Sequence, residues 1–282
     1  AMSFYSESLA FALESNYNKK LPHCYNNLGV VYHSQKDFTK ALDFFTKALT
    51  LFEEQNDSLY SALMLGNIGS IYIELNNTEI AKNYFLSAKN IYELLNDDDG
   101  LALSLVQLSE VYIYNNQPDS ALVLINRSNK LYQNLGFNYR GPKSYRYTDI
   151  SIKSAKCYML KSEWRNAIIQ LENSLKIALN SKLNGAIMET SKLLSSVYDS
   201  LKIIDSSFIY FKLYKSYSDS LLNEENIRNL AQLEFEYSYK QDKIEAELRD
   251  KTKLIQENRK NLIYIISLAI LILTIVLFVL LL

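Results

Sequence analysis

The side chains in this chain that could do acid–base, nucleophilic or metal chemistry are few and scattered. Two histidines, His23 and His33, fall about three turns apart on one predicted helix. No HExxH, no CxxC and no cluster of carboxylates completes a ligand set around them, so no metal centre is expected. Cys24 and Cys157 stand on the first helices of two separate predicted hairpins, too far apart to bridge within one chain. The run Asp97 to Asp99 reads as turn and capping residues. Gly66 and Gly69, in GNIG, read as helix-packing glycines, since no GxxxxGK[ST] phosphate loop is present. No nucleophile, base and oxyanion donors can be assembled, so neither catalysis nor a cofactor is expected. With 30 basic against 31 acidic side chains and a net charge of −1, there is no electrostatic footprint for nucleic acid.

Surface recognition is left as the chemistry, and the elements that would carry it are helices. The stretch from Tyr25 to Ala48 places Leu28, Gly29 and Tyr32 on one face of a first segment, then Ala41, Phe45 and Ala48 on a second. Apolar residues four apart in each segment, with a polar turn from Ser34 to Asp37, predict a helix-turn-helix unit. The pattern returns at Ile68, Gly69, Tyr72, Ala81, Phe85 and Ala88, a step of 40 along the sequence. Another step of 40 reaches Leu108, Ser109, Tyr112, Ala121 and Ile125, and a step of 46 reaches Ala155, Tyr158, Ala167 and Leu171. A last step of 40 gives Tyr198, Ser207 and Phe211, so five tyrosines share one slot. Self-similarity at such a period is the signature of a stacked helical array. Only 7 Gly and 3 Pro among 282 residues agree with a mainly helical chain, and no sheet is expected.

These residues resemble the tetratricopeptide repeat (TPR): an aromatic, Leu-Gly and Tyr on helix A, then Ala, an aromatic and Ala on helix B. Residues 22–221 read as five such repeats, at about 22–61, 62–101, 102–147, 148–187 and 188–221, in a variant longer than the 34-residue consensus. Residues 1–16 read as the second helix of a repeat whose first helix is missing. Pro22 and Pro118 are expected at helix starts, and QNDS (55–58), NDDDG (96–100) and NSKLNG (180–185) as turns. The fold expected is an all-α TPR-type solenoid. The resemblance implies that helix A lines a concave groove for a protein or peptide. It puts Asn27, Asn67 and Gln107 at one equivalent groove position, with Val30, Ser70, Glu110 and Lys156 as neighbours. Amides both donate and accept, so a row of them could pair with the backbone of an extended peptide. The loop NLGFNYRGPKSYRY, within the step of 46, reads as an insertion with a local excess of Arg140, Lys143 and Arg146.

Past Leu222 the repeat pattern stops. Residues 222–261 are rich in charge and lack Gly and Pro, and Ile227, Leu230, Tyr237, Ile244, Leu248 and Ile255 fit heptad positions. A helical stalk, able to form a coiled-coil homodimer, is expected there. Residues 262–282, LIYIISLAILILTIVLFVLLL, carry no charge over 21 positions, and a helix of that length spans about 31 Å, so a transmembrane helix is expected. The order of array, stalk and membrane helix resembles bacterial membrane-anchored TPR sensors, whose output is a histidine kinase or helix-turn-helix DNA-binding domain. That resemblance implies a single-pass inner-membrane protein with the array in the periplasm. Lys243, Arg249, Lys251, Lys253, Arg259 and Lys260 before the membrane segment favour a second reading, a tail-anchored adaptor with its array in the cytoplasm.

Overall fold

The computed structural model describes residues 19–136, 143–221, 251–252 and 259–260. Every regular element among them is an α-helix. The helices are α1 (Leu21–Ser34), α2 (Phe38–Glu54), α3 (Ser58–Glu74), α4 (Thr78–Leu95) and α5 (Asp98–Tyr114). After these come α6 (Pro118–Asn134), α7 (Ser144–Leu160), α8 (Trp164–Asn180), α9 (Asn184–Ser200) and α10, helical from 204 to 221. The chain divides into two compact units, Ala1–Glu225 and Asn226–Leu282, and all ten of these helices belong to the first. Odd-numbered helices are the A helices and even-numbered ones the B helices of successive hairpins. From α3 onward each A helix packs on the next, while B helices pack chiefly on A helices, so the array is tighter on its A side.

A single turn design joins these elements. Lys36, Asn56, Asn76, Asn96, Asn116 and Gly136 have positive φ and recur in steps of 20; Ser162, Lys182 and Lys202 resume the series after a step of 26. At Asn76, the amide N–H of the following Asn77 donates to the Tyr72 carbonyl at 2.8 Å, and the Asn77 carbonyl accepts from Ala81 at 3.1 Å. One left-handed residue thus closes one helix and lets its neighbour begin the next. The Asp57 side chain adds a cap, accepting from Tyr60 N–H at 3.2 Å. Helices mostly 17 residues long, joined by short turns, account for the repeat step of 40. The expected breaker NDDDG is shorter than its sequence suggests, because Asp98, Asp99 and Gly100 already lie in the first turn of α5. Likewise Ser58, placed in a turn by its composition, opens α3, capped by the aspartate before it.

Small residues on A helices face large ones on B helices. A Cβ on Gly29 would lie 2.6 Å from the Phe45 ring, and one on Gly69 2.6 Å from the Phe85 ring. The glycines therefore let each hairpin close on a phenylalanine. Later hairpins hold the matched pairs Ser109 with Ile125 and Ala155 with Leu171, a larger A residue offset by a smaller B residue, all four buried. The tyrosine slot has its own partner. Tyr32 stacks on Phe44 at 5.3 Å, Tyr72 on Tyr84 at 5.6 Å and Tyr198 on Tyr210 at 5.5 Å between ring centroids. Both cysteines are buried. Burial pushes the Cys157 thiol up to about 11.

Among the described residues no helix is long and apolar enough to cross a membrane. The segments expected over 1–16 and 262–282 lie outside the described residues, as does the 222–261 stalk apart from 251–252 and 259–260, which are helical.

Candidate partner-binding face of the A helices

Asn27, Asn67 and Gln107 are all half-buried on α1, α3 and α5. Their amides are partly spent on one another's helices. Asn67 Nδ2 donates to Asn26 Oδ1 at 3.3 Å, while Asn26 Nδ2 approaches Asn27 Oδ1 at 3.5 Å. Gln107 Nε2 donates across to the Gly66 carbonyl and to Ser70 Oγ, both at 3.4 Å. Gly66 is the residue that admits this side chain, since a Cβ there would sit 3.0 Å from Gln107 Oε1. Ser70 Oγ in turn donates to the Gly66 carbonyl at 3.0 Å. Val30 is 49% exposed and makes the apolar part of this face.

Ion pairs continue the same ladder along the later A helices. Glu110 on α5 pairs with Lys153 on α7 at 3.3 Å, and Lys153 also meets Asp149 at 2.7 Å. Burial alone would lower the Lys153 ammonium, but Asp149 and Glu110 outweigh it and hold the group above its ordinary value. Lys156 pairs with Glu189 on α9 at 2.7 Å. At the other end, His33 Nε2 on α1 meets Glu74 Oε1 on α3 at 2.6 Å. The structure thus brings the seven sequence-selected residues onto successive A helices, where six are half-buried and Val30 is exposed. They form a row bonded lengthwise rather than a row of idle amides. Asn26, His33, Glu74 and Lys153 belong to the ladder but escaped the sequence reading. Their signal was a spacing of 41, one more than the repeat, seen in His33 with Glu74 and Asn26 with Asn67.

The insertion between α6 and α7 leads into a second polar cluster. Lys143 Nζ lies 2.6 Å and Arg146 Nη2 3.1 Å from the Asp99 carboxylate, at the N-terminal turn of α5. Arg146 Nη1 also donates to Tyr132 Oη at 3.0 Å, with its guanidinium 5.3 Å from that ring. Burial raises the Tyr132 phenol, against the opposing pull of Arg146. Lys143 and Arg146 are therefore committed to structure, and Arg140 lies outside the described residues. Among the described residues no group of histidine, cysteine and carboxylate side chains could hold a metal ion.

Comparison with known proteins bears on the fold. Residues 22–55 and 62–93 each match a tetratricopeptide repeat model. No curated protein matches the sequence. Among solved structures, BtubC from P. vanneervenii is similar at TM-score 0.60 and 15% identity, over 77% of this chain and 89% of that one. A Rap protein complexed with Competence and Sporulation Factor is similar at TM-score 0.62 and 14% identity, over 73% of this chain and 58% of that one. A signal transduction ATPase from Pyrococcus horikoshii with a tetratricopeptide repeat sensor matches at TM-score 0.57 and 17% identity, over 74% of this chain and 31% of that one. Likeness at these identities speaks for the fold. Two hairpins are thus matched as tetratricopeptide repeats and the others are built on the same turn, so the fold of the array is of the tetratricopeptide-repeat type.

Proposed function

We propose that this chain is a protein-interaction module that acts by binding rather than catalysis, the partner-binding part of a membrane-anchored bacterial signalling or transcription-regulatory protein. The observation that carries the reading is the A-helix ladder. Successive helices present half-buried amides, hydroxyls and ion pairs in register, with Val30 exposed beside them, so a partner would meet an ordered surface and lose little entropy fixing it. The partner is a protein segment that uses main-chain groups against Asn27, Asn67 and Gln107. A photo-crosslinking residue at Val30 should give a discrete adduct in cells, and one at Val123, 68% exposed on the B helix α6, should not. Equal adducts from both positions, or none from Val30, would remove the reading.

Membrane attachment rests on the uncharged stretch 262–282, and signalling on the likeness of this domain order to membrane-anchored TPR sensors. In this reading partner binding alters pairing or register of a dimeric stalk over 222–261, and the membrane helix carries the change inward. The array lies in the periplasm. Topology can be read with Leu94→Cys, since Leu94 is 82% exposed whereas Cys24 and Cys157 are buried. Labelling by a membrane-impermeant thiol reagent after outer-layer permeabilisation supports the sensor. Protection until lysis supports the tail-anchored adaptor, which the basic residues Lys251, Arg259 and Lys260 favour.

A further inference from the structure

The groove between the B helices α6 and α8, floored by α7, opens into a cavity of about 470 Å³. This is within the size range of small-molecule sites. It lies on the B side of the array, away from the A-helix ladder. Comparison with the preceding repeat shows why it is open. There the equivalent groove is filled by Leu105, Leu108 and Leu124, all in apolar clusters. At the matching positions, a step of 46 further on, stand Ser151, Ser154 and Gln170. Gln170 also occupies the slot that supplies a stacking ring to the A-helix tyrosine in three other hairpins, so Tyr158 lines the cavity without a stacked partner among the described residues.

The replacements are chemically directed. Ser151 and Ser154 are 9% and 7% exposed. Neither hydroxyl bonds to a described residue, unlike Ser104 and Ser109, which donate to carbonyls of their own helix at 2.8 and 2.6 Å. Asn129, Gln170 and Asn173 add amides without partners among the described residues, and Lys176 brings a positive charge that no carboxylate neutralises in the lining. Ile150 and Ile177 supply an apolar floor. Donors outnumber dedicated acceptors, and the one charge in the lining is a cation, so a negatively charged, oxygen-rich guest is favoured.

We propose that this cavity is a second binding site, for a small organic carboxylate with an amide-bearing, partly apolar body of about dipeptide size. The carboxylate pairs with Lys176, and the amides and serine hydroxyls receive the polar body. The site is independent of partner binding on the A helices.

The test uses the full chain in lipid nanodiscs, with N-acetylated dipeptides and their C-terminal amides as probes in equilibrium dialysis. Wild type should retain free-acid dipeptides, and the amides should bind about tenfold more weakly. Lys176→Met should erase the preference for the acid. The double variant S151L/S154L, which restores the leucines of the preceding repeat, should bind neither probe while melting no lower than wild type. Val30→Glu should bind as wild type does. Failure of wild type to retain any free acid at millimolar concentration would overturn the proposal, as would unchanged retention by a folded S151L/S154L variant.

Discussion

At Gly69 a single missing methyl decides whether a hairpin closes. Its absent Cβ would stand 2.6 Å from the Phe85 ring, so Gly69→Ala should cost about 1–3 kcal/mol by denaturant unfolding. Adding Phe85→Leu recreates the Ala155 and Leu171 pairing of the fourth hairpin and should recover part of that loss. A simple sum of the two single costs would show that the residues do not share one space. This was legible in advance, since a glycine inside a helix beside an aromatic four residues into the partner pattern signals close approach. The tyrosine slot was also legible, but its ring partner twelve residues later was not, because Leu124 and Gln170 break that pattern in two repeats. Cys157 gives a pH prediction. Its thiol titrates near 11 in the fold against 9.0 ordinarily, so the unfolded chain loses the proton first. The associated stability is complete below pH 9 and is lost as pH rises through 11, at no more than about 1.4 kcal/mol per pH unit. Cys157→Ala should flatten this part of the stability-against-pH curve, and an unchanged slope would refute the assignment.

The element that the sequence concealed is the turn. A reading by whole repeats treats the Ser34 to Asp37 turn and the QNDS and NDDDG clusters as separate features, whereas the structure uses one left-handed residue after each of α1 to α9. Asparagine marks four of these positions and announces itself, since it tolerates that conformation. Lys36, Lys182 and Lys202 do not, because lysine has no preference for positive φ and looks like any polar turn residue. Lys202→Gly should therefore raise stability by about 0.5–1 kcal/mol, relief of the left-handed strain outweighing the added freedom of the unfolded chain. Asn76→Val should lower it, with thermal melting as the readout for both. Opposite signs would mean that these turns tolerate strain without cost. Asp57→Ala, which removes the bond to Tyr60 N–H, should cost about 0.5–2 kcal/mol.

Across the whole array, neighbouring repeats are held by side-chain bonds on the A side and by apolar filling between the B helices. The first was partly readable: equivalent amides at 27, 67 and 107 were selected, but their mutual bonding depends on a one-residue offset between adjacent helices that no single repeat displays. The second was missed, because Ser151 and Ser154 look like ordinary helix serines until placed over a groove that leucines fill one repeat earlier. In sequence the insertion has the look of a basic loop, yet Lys143 and Arg146 are drawn back onto Asp99. Arg146 is only 11% exposed, so Asp99→Asn leaves its charge poorly matched and should destabilise by about 1–3 kcal/mol, with the loss falling on the junction of the third and fourth hairpins. Amide hydrogen exchange should then rise in α5 and α7 before α1 and α2. Uniform acceleration would show that the array unfolds as one block rather than by neighbour contacts.

The turn residue after each helix also sets a rule for change in length. One helix with its turn is half of a repeat, and two are needed before the chain returns to the same side. Loss or gain of a single helix and turn would exchange inner and outer layers for everything downstream, while loss or gain of a pair would leave the phase intact. Growth is quantised in pairs. The step of 26 between Gly136 and Ser162 keeps that phase, since α7 has the same 17 residues as most of its neighbours.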